Sequence, residues 1–389
     1  MKKIILIISL LINVYAKAQT EHIVIHPYVR LLNDSVESKQ LIADLSGFLL
    51  AAEKPNEENK FVLPAQKIET FILLDEIIGM EKSGKYKDDH FYKPHLTNVI
   101  SLNDNKYLLQ VSNIGGINNE HALIASFELI AHKINSSFLF SSPLIDNTKN
   151  WKVEKNGNTS FHYQYSINKT KTEEYCKLAS AFDTKLKSVN KITDFYCCEN
   201  FTALLKLIGV DYKIYYNGMT ENTLSSNVEN RKLIVLGNNN ATFNEFDPHD
   251  LWHDRLSLVI SRSLVNKPID EACAYVYGGS WGISWVDIFK TFKLKVANNK
   301  NIDWKDVKEN PINFAENKRK DLMADYVVNA LIIKKTEKEK GFSAVWEFLN
   351  CGKYEKGNDN YYKALEKLTG ITKDNYNQKV WELINNEQK

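Results

Sequence analysis

Along the first part of the chain the spacing of apolar residues changes. Over residues 35–54 and again over 65–80 they recur every three to four positions, which predicts two amphipathic helices. From residue 97 the spacing shortens to two, and 97–102, 106–112, 122–132 and 138–140 read as strands. Helices followed by a run of strands predict an α+β domain over residues 19–150, closed by the polar stretches 146–150 and 154–159. Beyond this boundary the elements alternate. Residues 160–167, 191–197, 212–216 and 232–237 read as strands, and 172–189 and 200–208 as helices, the second ended by Gly209. The polar stretch 217–231 reads as a loop, and from Asp247 onward the pattern is almost wholly helical. The expected fold class is therefore α+β in two parts: an accessory domain over 19–150, then a domain over 155–389 with a small mixed sheet before its helices.

The amino-terminal end has a different character. Met1-Lys2-Lys3 is basic, residues 4–14 are nearly all apolar, and Ala16-Lys17-Ala18 is a small-x-small triplet. This is the layout of a secretory signal peptide over residues 1–18, cleaved after Ala18. The apolar run, about eleven residues, is too short to span a bilayer. Gln19 and not a cysteine stands directly after Ala18, so nothing suggests a lipid anchor. The expected location is secreted or periplasmic, with no membrane span in the mature chain. Cleavage would leave 389 − 18 = 371 residues, a length that favours two domains. With 43% hydrophobic and 11% aromatic residues, the chain can bury sizeable cores. Its 50 basic residues offset 48 acidic ones, with both signs interleaved, which speaks against nucleic acid as a partner. The five cysteines, Cys176, Cys197, Cys198, Cys273 and Cys351, are odd in number and fit no disulfide framework. A bridge to Cys176 and buried free thiols are both compatible with that spacing.

The chemistry lies in Asp247-Pro248-His249-Asp250-Leu251-Trp252-His253. Asp-Pro is a fitting helix start, and histidines at i and i+4 share one helix face, so both rings can reach one ion. Eighteen residues after His253 comes Glu271, one turn into a helix opened by Pro268. It can complete a site of two histidines and one glutamate with a fourth position open, the donor set of catalytic zinc. With nine histidines, chance alone gives roughly 0.2 such pairs in a chain of this length, so the spacing is informative only with its context. A second pair, His22 and His26, lacks that context. It lies in an alternating run, where i and i+4 are about 13 Å apart, too far to share an ion. Partly buried histidines with structural partners are the plainer alternative for His249 and His253. Asp254 could orient His253, though a solvated helix acid is the simpler reading. Gly278-Gly279-Ser280-Trp281-Gly282 reads as a cleft rim and not as a phosphate loop, since no strand precedes it.

These residues resemble the gluzincin zinc metallopeptidases of the peptidase MA-like type. Their His-Glu-x-x-His helix is followed some twenty residues later by a Pro-containing segment with Glu, Ala and Tyr. Pro268, Glu271, Ala274 and Tyr275 fall close to that second motif, with Ala272 where glycine is usual. Softer likeness extends over residues 155–386, including Tyr326 to Gly341 and Tyr362 to Ile371 with Trp381. The resemblance implies zinc held by His249, His253 and Glu271, a peptide or protein substrate, and a tyrosine donor to the oxyanion, Tyr326 ahead of Tyr275 and Tyr277, for each of which a core or surface tyrosine is the plainer alternative. The chain departs from the family in having Asp250 where the family's general base is glutamate. Aspartate has the same chemistry on a side chain about 1.5 Å shorter, and misplacement by about 1 Å can cost on the order of a hundredfold in rate. Two expectations follow: a working metallopeptidase with Asp250 as base, or an inactive pseudopeptidase that serves as a binding module in the cell envelope.

Overall fold

The computed structural model describes residues 22–387 apart from 104, 118–119, 189–190, 262, 298, 300, 316 and 318–319. The expected signal segment lies outside the described residues. The chain is α+β and divides into two compact units. One runs up to Asn168 and resumes over Lys191–Asn244. The other comprises Lys169–Asn190 and Glu245–Lys389.

The first unit opens with β1 (Val24–Ile25), α1 (Ser35–Ala51) and α2 (Lys67–Ile77). Asp34 starts α1 by accepting hydrogen bonds from the Val36 and Glu37 amides, as an N-cap carboxylate should. The helix then buries Leu41, Leu45, Phe48 and Leu49, one face at helical spacing. Next come β2 (Lys93–Asn103), β3 (Lys106–Ile117), β4 (Glu120–Ile134) and β5 (Ser137–Ser141), an antiparallel run with β1 added in parallel at the β2 edge. After the short α3 (Leu144–Asn147), β6 (Lys152–Asn156) and β7 (Thr159–Tyr163) begin a second sheet. Its order is completed by β8 (Ile192–Cys197), β10 (Asn222–Val228) and β11 (Arg231–Gly237) as β10-β11-β8-β7-β6. Between β8 and β10 lie α5 (Phe201–Ile208) and β9 (Val210–Lys213).

The expected boundary at residues 150–155 falls inside this unit and needs correction. Strand β9 pairs antiparallel with β4, placing Lys213 opposite Ala125, so the first sheet draws a strand from beyond the boundary. One continuous core joins Phe48, Phe71, Leu109 and Phe127 with Phe201, Leu204, Leu233 and Val235. Gly209 makes the turn into β9 possible. Its φ is 97°, and a Cβ there would stand 2.4 Å from the Glu128 carbonyl oxygen. The stretch read as a loop at 217–231 holds β10, and the strand expected at 212–216 ends at Lys213 before a single 3-10 turn.

The second unit is helical. It contains α4 (Lys169–Leu186), α6 (Pro248–Ser257), α7 (Lys267–Gly278), α8 (Trp285–Val296) and α9 (Trp304–Glu309). The remaining helices are α10 (Ala324–Lys340), α11 (Phe342–Leu349), α12 (Asp359–Thr369) and α13 (Tyr376–Asn386). Helix α10 is buried on nearly every turn from Ala324 to Thr336, the mark of a central helix. Helix α4 buries Thr172, Tyr175, Ala179, Phe182 and Asp183 at helical spacing. It grips α6 twice: Phe182 meets Trp252 edge-on at 5.4 Å, and Asp183 takes both arms of the buried Arg255 guanidinium, Nε at 2.7 Å. A fork of this kind fixes orientation as well as distance. All five cysteines are free, and no helix among the described residues is long and apolar enough to cross a membrane.

Candidate metal centre

Helix α6 begins where its sequence places it. The Asp247 carboxylate accepts from the His249 amide at 2.8 Å, and Pro248 occupies the first turn. One turn separates His249 from His253, and their Nε2 atoms come to 3.1 Å from each other. Helix α7, with Pro268 in its first turn, brings Glu271 Oε2 to 3.4 Å from His249 Nε2 and 3.6 Å from His253 Nε2. Nitrogen and oxygen ligands held tetrahedrally at about 2.0–2.1 Å from zinc lie about 3.3–3.4 Å from one another. The three edges, 3.1, 3.4 and 3.6 Å, bracket that figure. Among the described residues this is the group of three ligating side chains whose donor atoms all converge, and it could hold a metal ion.

The far nitrogen of each ring shows how the near one is presented. His249 Nδ1 lies 2.8 Å from the Gly279 carbonyl oxygen, and His253 Nδ1 lies 2.9 Å from Asp270 Oδ1. A carbonyl only accepts, and so does an ionised carboxylate, so both Nδ1 atoms carry their protons and both Nε2 atoms offer lone pairs. In the neutral rings two lone pairs and a carboxylate oxygen point at one place, which a metal ion, or a proton shared among them, can occupy. Trp252 Nε1 donates to the same Asp270 oxygen at 3.0 Å, so one buried carboxylate pins two consecutive residues of the ligand helix.

The Gly278-Gly279 turn is part of this support. A Cβ on Gly278 would stand 2.5 Å from the Pro248 carbonyl oxygen, so the end of α7 lies directly against the start of α6. That approach delivers the Gly279 carbonyl to His249. The segment expected to form a cleft rim thus anchors a ligand, while its Trp281 is half exposed and donates from Nε1 to the Asp321 carbonyl at 3.2 Å.

The local field favours positive charge. Burial alone would lower His253, but hydrogen bonds to Asp270 and Glu271, and their charges, outweigh it and push the ring up to about 9. Burial likewise opposes protonation of His249, and the Glu271 and Gly279 contacts more than offset it. Burial would raise Glu271, yet its bonds to the two imidazoles hold it below the usual carboxylate range. The same field suits a divalent cation.

Asp250 sits in the first turn of α6, exposed to solvent on one side, and makes no hydrogen bond to a described residue. Partial desolvation, then the Asp247 charge, holds its carboxyl above the usual range. Tyr275 packs 5.9 Å from the His249 ring, and Tyr326 meets Tyr275 edge-on at 5.8 Å. The Tyr275 hydroxyl is taken up by the Met323 amide and Tyr277 donates to Glu337, whereas the half-buried Tyr326 hydroxyl makes no hydrogen bond to a described residue. The orienting carboxylate on His253 is Asp270 and not Asp254. Its only sequence signal is its place directly before Glu271.

No family model, curated protein or solved structure matches the chain. The geometry is that of a three-ligand cation site, and no family membership follows from it.

Proposed function

We propose that this chain is an exported, zinc-dependent peptidase of gluzincin-like organisation. What supports the reading most is the convergence of His249 Nε2, His253 Nε2 and Glu271 Oε2, with each imidazole fixed from behind. These three residues would hold zinc, which supplies Lewis-acid polarisation and acidifies water when bound. Asp250, on the same helix, takes a proton from the attacking water and returns it to the leaving amine. Tyr326 donates a hydrogen bond to the oxyanion that develops on the scissile carbonyl.

The purified chain should carry about one zinc at this cluster and cleave a peptide library. Asp250→Asn should abolish cleavage and leave the zinc in place, because asparagine is nearly isosteric and cannot take the proton. Cleavage that survives in Asp250→Asn, or zinc that survives at this cluster in His249→Ala, would remove the reading.

The short, exposed Asp250 favours a second reading, a pseudopeptidase that binds a partner in the cell envelope without cutting it. In that case Asp250→Glu should create turnover where the wild type has none. A backbone adapted to aspartate would instead lose rate with the longer side chain.

A further inference from the structure

His22 and His26 share the four-residue spacing of the ligand pair without its helix, and the structure sends them in different directions. His26 is exposed, and its Nδ1 accepts from the Tyr28 amide at 3.4 Å. His22 turns to Glu81, with Nε2 at 2.8 Å from one carboxylate oxygen and 3.0 Å from the other. His90 Nδ1 also lies 3.3 Å from the Oε2 atom of that carboxylate.

We propose that His22, Glu81 and His90 form a second cation site, taking a divalent transition metal of the zinc class. The donor set, two imidazoles and a carboxylate, suits zinc, and carboxylate with imidazole is a poor match for calcium or magnesium. Glu81 Oε2 is common to both contacts, 3.0 Å from His22 Nε2 and 3.3 Å from His90 Nδ1, while the two ring nitrogens stand more than 4.8 Å apart, so the third edge forms only when a ring moves.

The frame behind the ligands is fixed. Glu81 and His90 belong to a loop, residues 81–92, tied across its base by Tyr92 N to the Glu81 carbonyl at 2.9 Å. It is tied again at its middle by reciprocal bonds between Ser83 and Asp88. The Asp88 carboxylate also accepts from the His90 amide at 2.8 Å. His22 and Glu81 are 15% and 12% exposed, while His90 is 71% exposed and its ring bonds to nothing else among the described residues. The site closes when the exposed His90 ring turns inward, since among the described residues only the His249 cluster already has all three donor atoms within 4.8 Å of one another. Metal at this site would tie the segment at His22 to the loop at 81–92. It would also bind more weakly than the preformed cluster, because part of its binding free energy is spent ordering His90.

Zinc titration by calorimetry of the full chain carrying His249→Ala and His253→Ala isolates this site. About one zinc per chain should remain. Adding His90→Gln should weaken binding at least about tenfold, and adding Glu81→Gln should remove it. His90→Gln alters an exposed ring, so it keeps the test open if Glu81→Gln disturbs the fold. The proposal is overturned if the double variant binds no zinc up to about 100 μM, or if both additions leave its affinity unchanged. These outcomes are separate from those for the first cluster, which is read from what His249→Ala and His253→Ala remove.

Discussion

His22 and His26 stand at the same four-residue separation as His249 and His253, and the two pairs meet opposite fates. Between the first two lies β1, an extended segment that carries one ring toward Glu81 and leaves the other in solvent. The second two lie on α6, where one turn brings their Nε2 atoms to 3.1 Å. A spacing in sequence has chemical meaning only through the period of the backbone beneath it. Partners complete the difference: the helical pair is held from behind by the Asp270 carboxylate of α7 and the Gly279 carbonyl that follows it, and the His26 ring meets only the amide and ring of Tyr28 among the described side-chain contacts.

The comparison can be broken most sharply at its stronger end. In a chain that also carries Glu81→Gln, which empties the second site, His253→Ala should take zinc from about one per chain to near zero by elemental analysis, since two protein ligands do not make a closed site. Retained zinc would show that convergence of the two rings is not what binds it. Asp270→Asn keeps the ligands and removes the negative acceptor behind His253. Zinc affinity should fall about 10- to 100-fold in a competition titration against a chelating dye. An unchanged affinity would make Asp270 a packing residue only. Gly278→Ala forces a methyl group into the Pro248 carbonyl, and denaturant unfolding should show a loss of about 1–3 kcal/mol. A neutral result would mean that the contact between α6 and α7 adjusts freely. Last, His26→Gln should change stability by no more than about 0.5 kcal/mol and leave metal content unaltered, as expected of an exposed side chain.

The three residues that converge, His249, His253 and Glu271, were legible because their signals are local. Asp247 and Pro248 mark a helix start, the histidines share one face, and Pro268 starts the helix that carries Glu271. The Gly209 helix stop was legible for the same reason. Asp270 was not, because any helix acid beside a ligand is an equal candidate until the helices are packed. Strand β10 escaped because its residues are mostly polar and it lies at the edge of its sheet, with little apolar alternation to read. The boundary at 150–155 was misplaced for a physical reason too. Polar, turn-rich sequence marks a surface loop equally well within a unit and between units. The pairing of β9 with β4 is a long-range event that no local pattern encodes.

The interleaving of the two units sets an order of events as the chain leaves the ribosome. Ala125 waits for Lys213, 213 − 125 = 88 residues later, before its sheet edge is covered. Helix α4 is made before β8 to β11, yet belongs to the other unit, and Asp183 meets Arg255 only 72 residues on. Phe182 waits 252 − 182 = 70 residues for Trp252, and at about 5–20 residues per second that is roughly 4–14 s. During that interval α4 is an amphipathic helix with its apolar face open, the kind of surface that holding chaperones cover. A fragment begun at residue 155 would meet a related difficulty. It would carry β7 to β11 of the first unit with none of the helices or strands before residue 150 that complete their core.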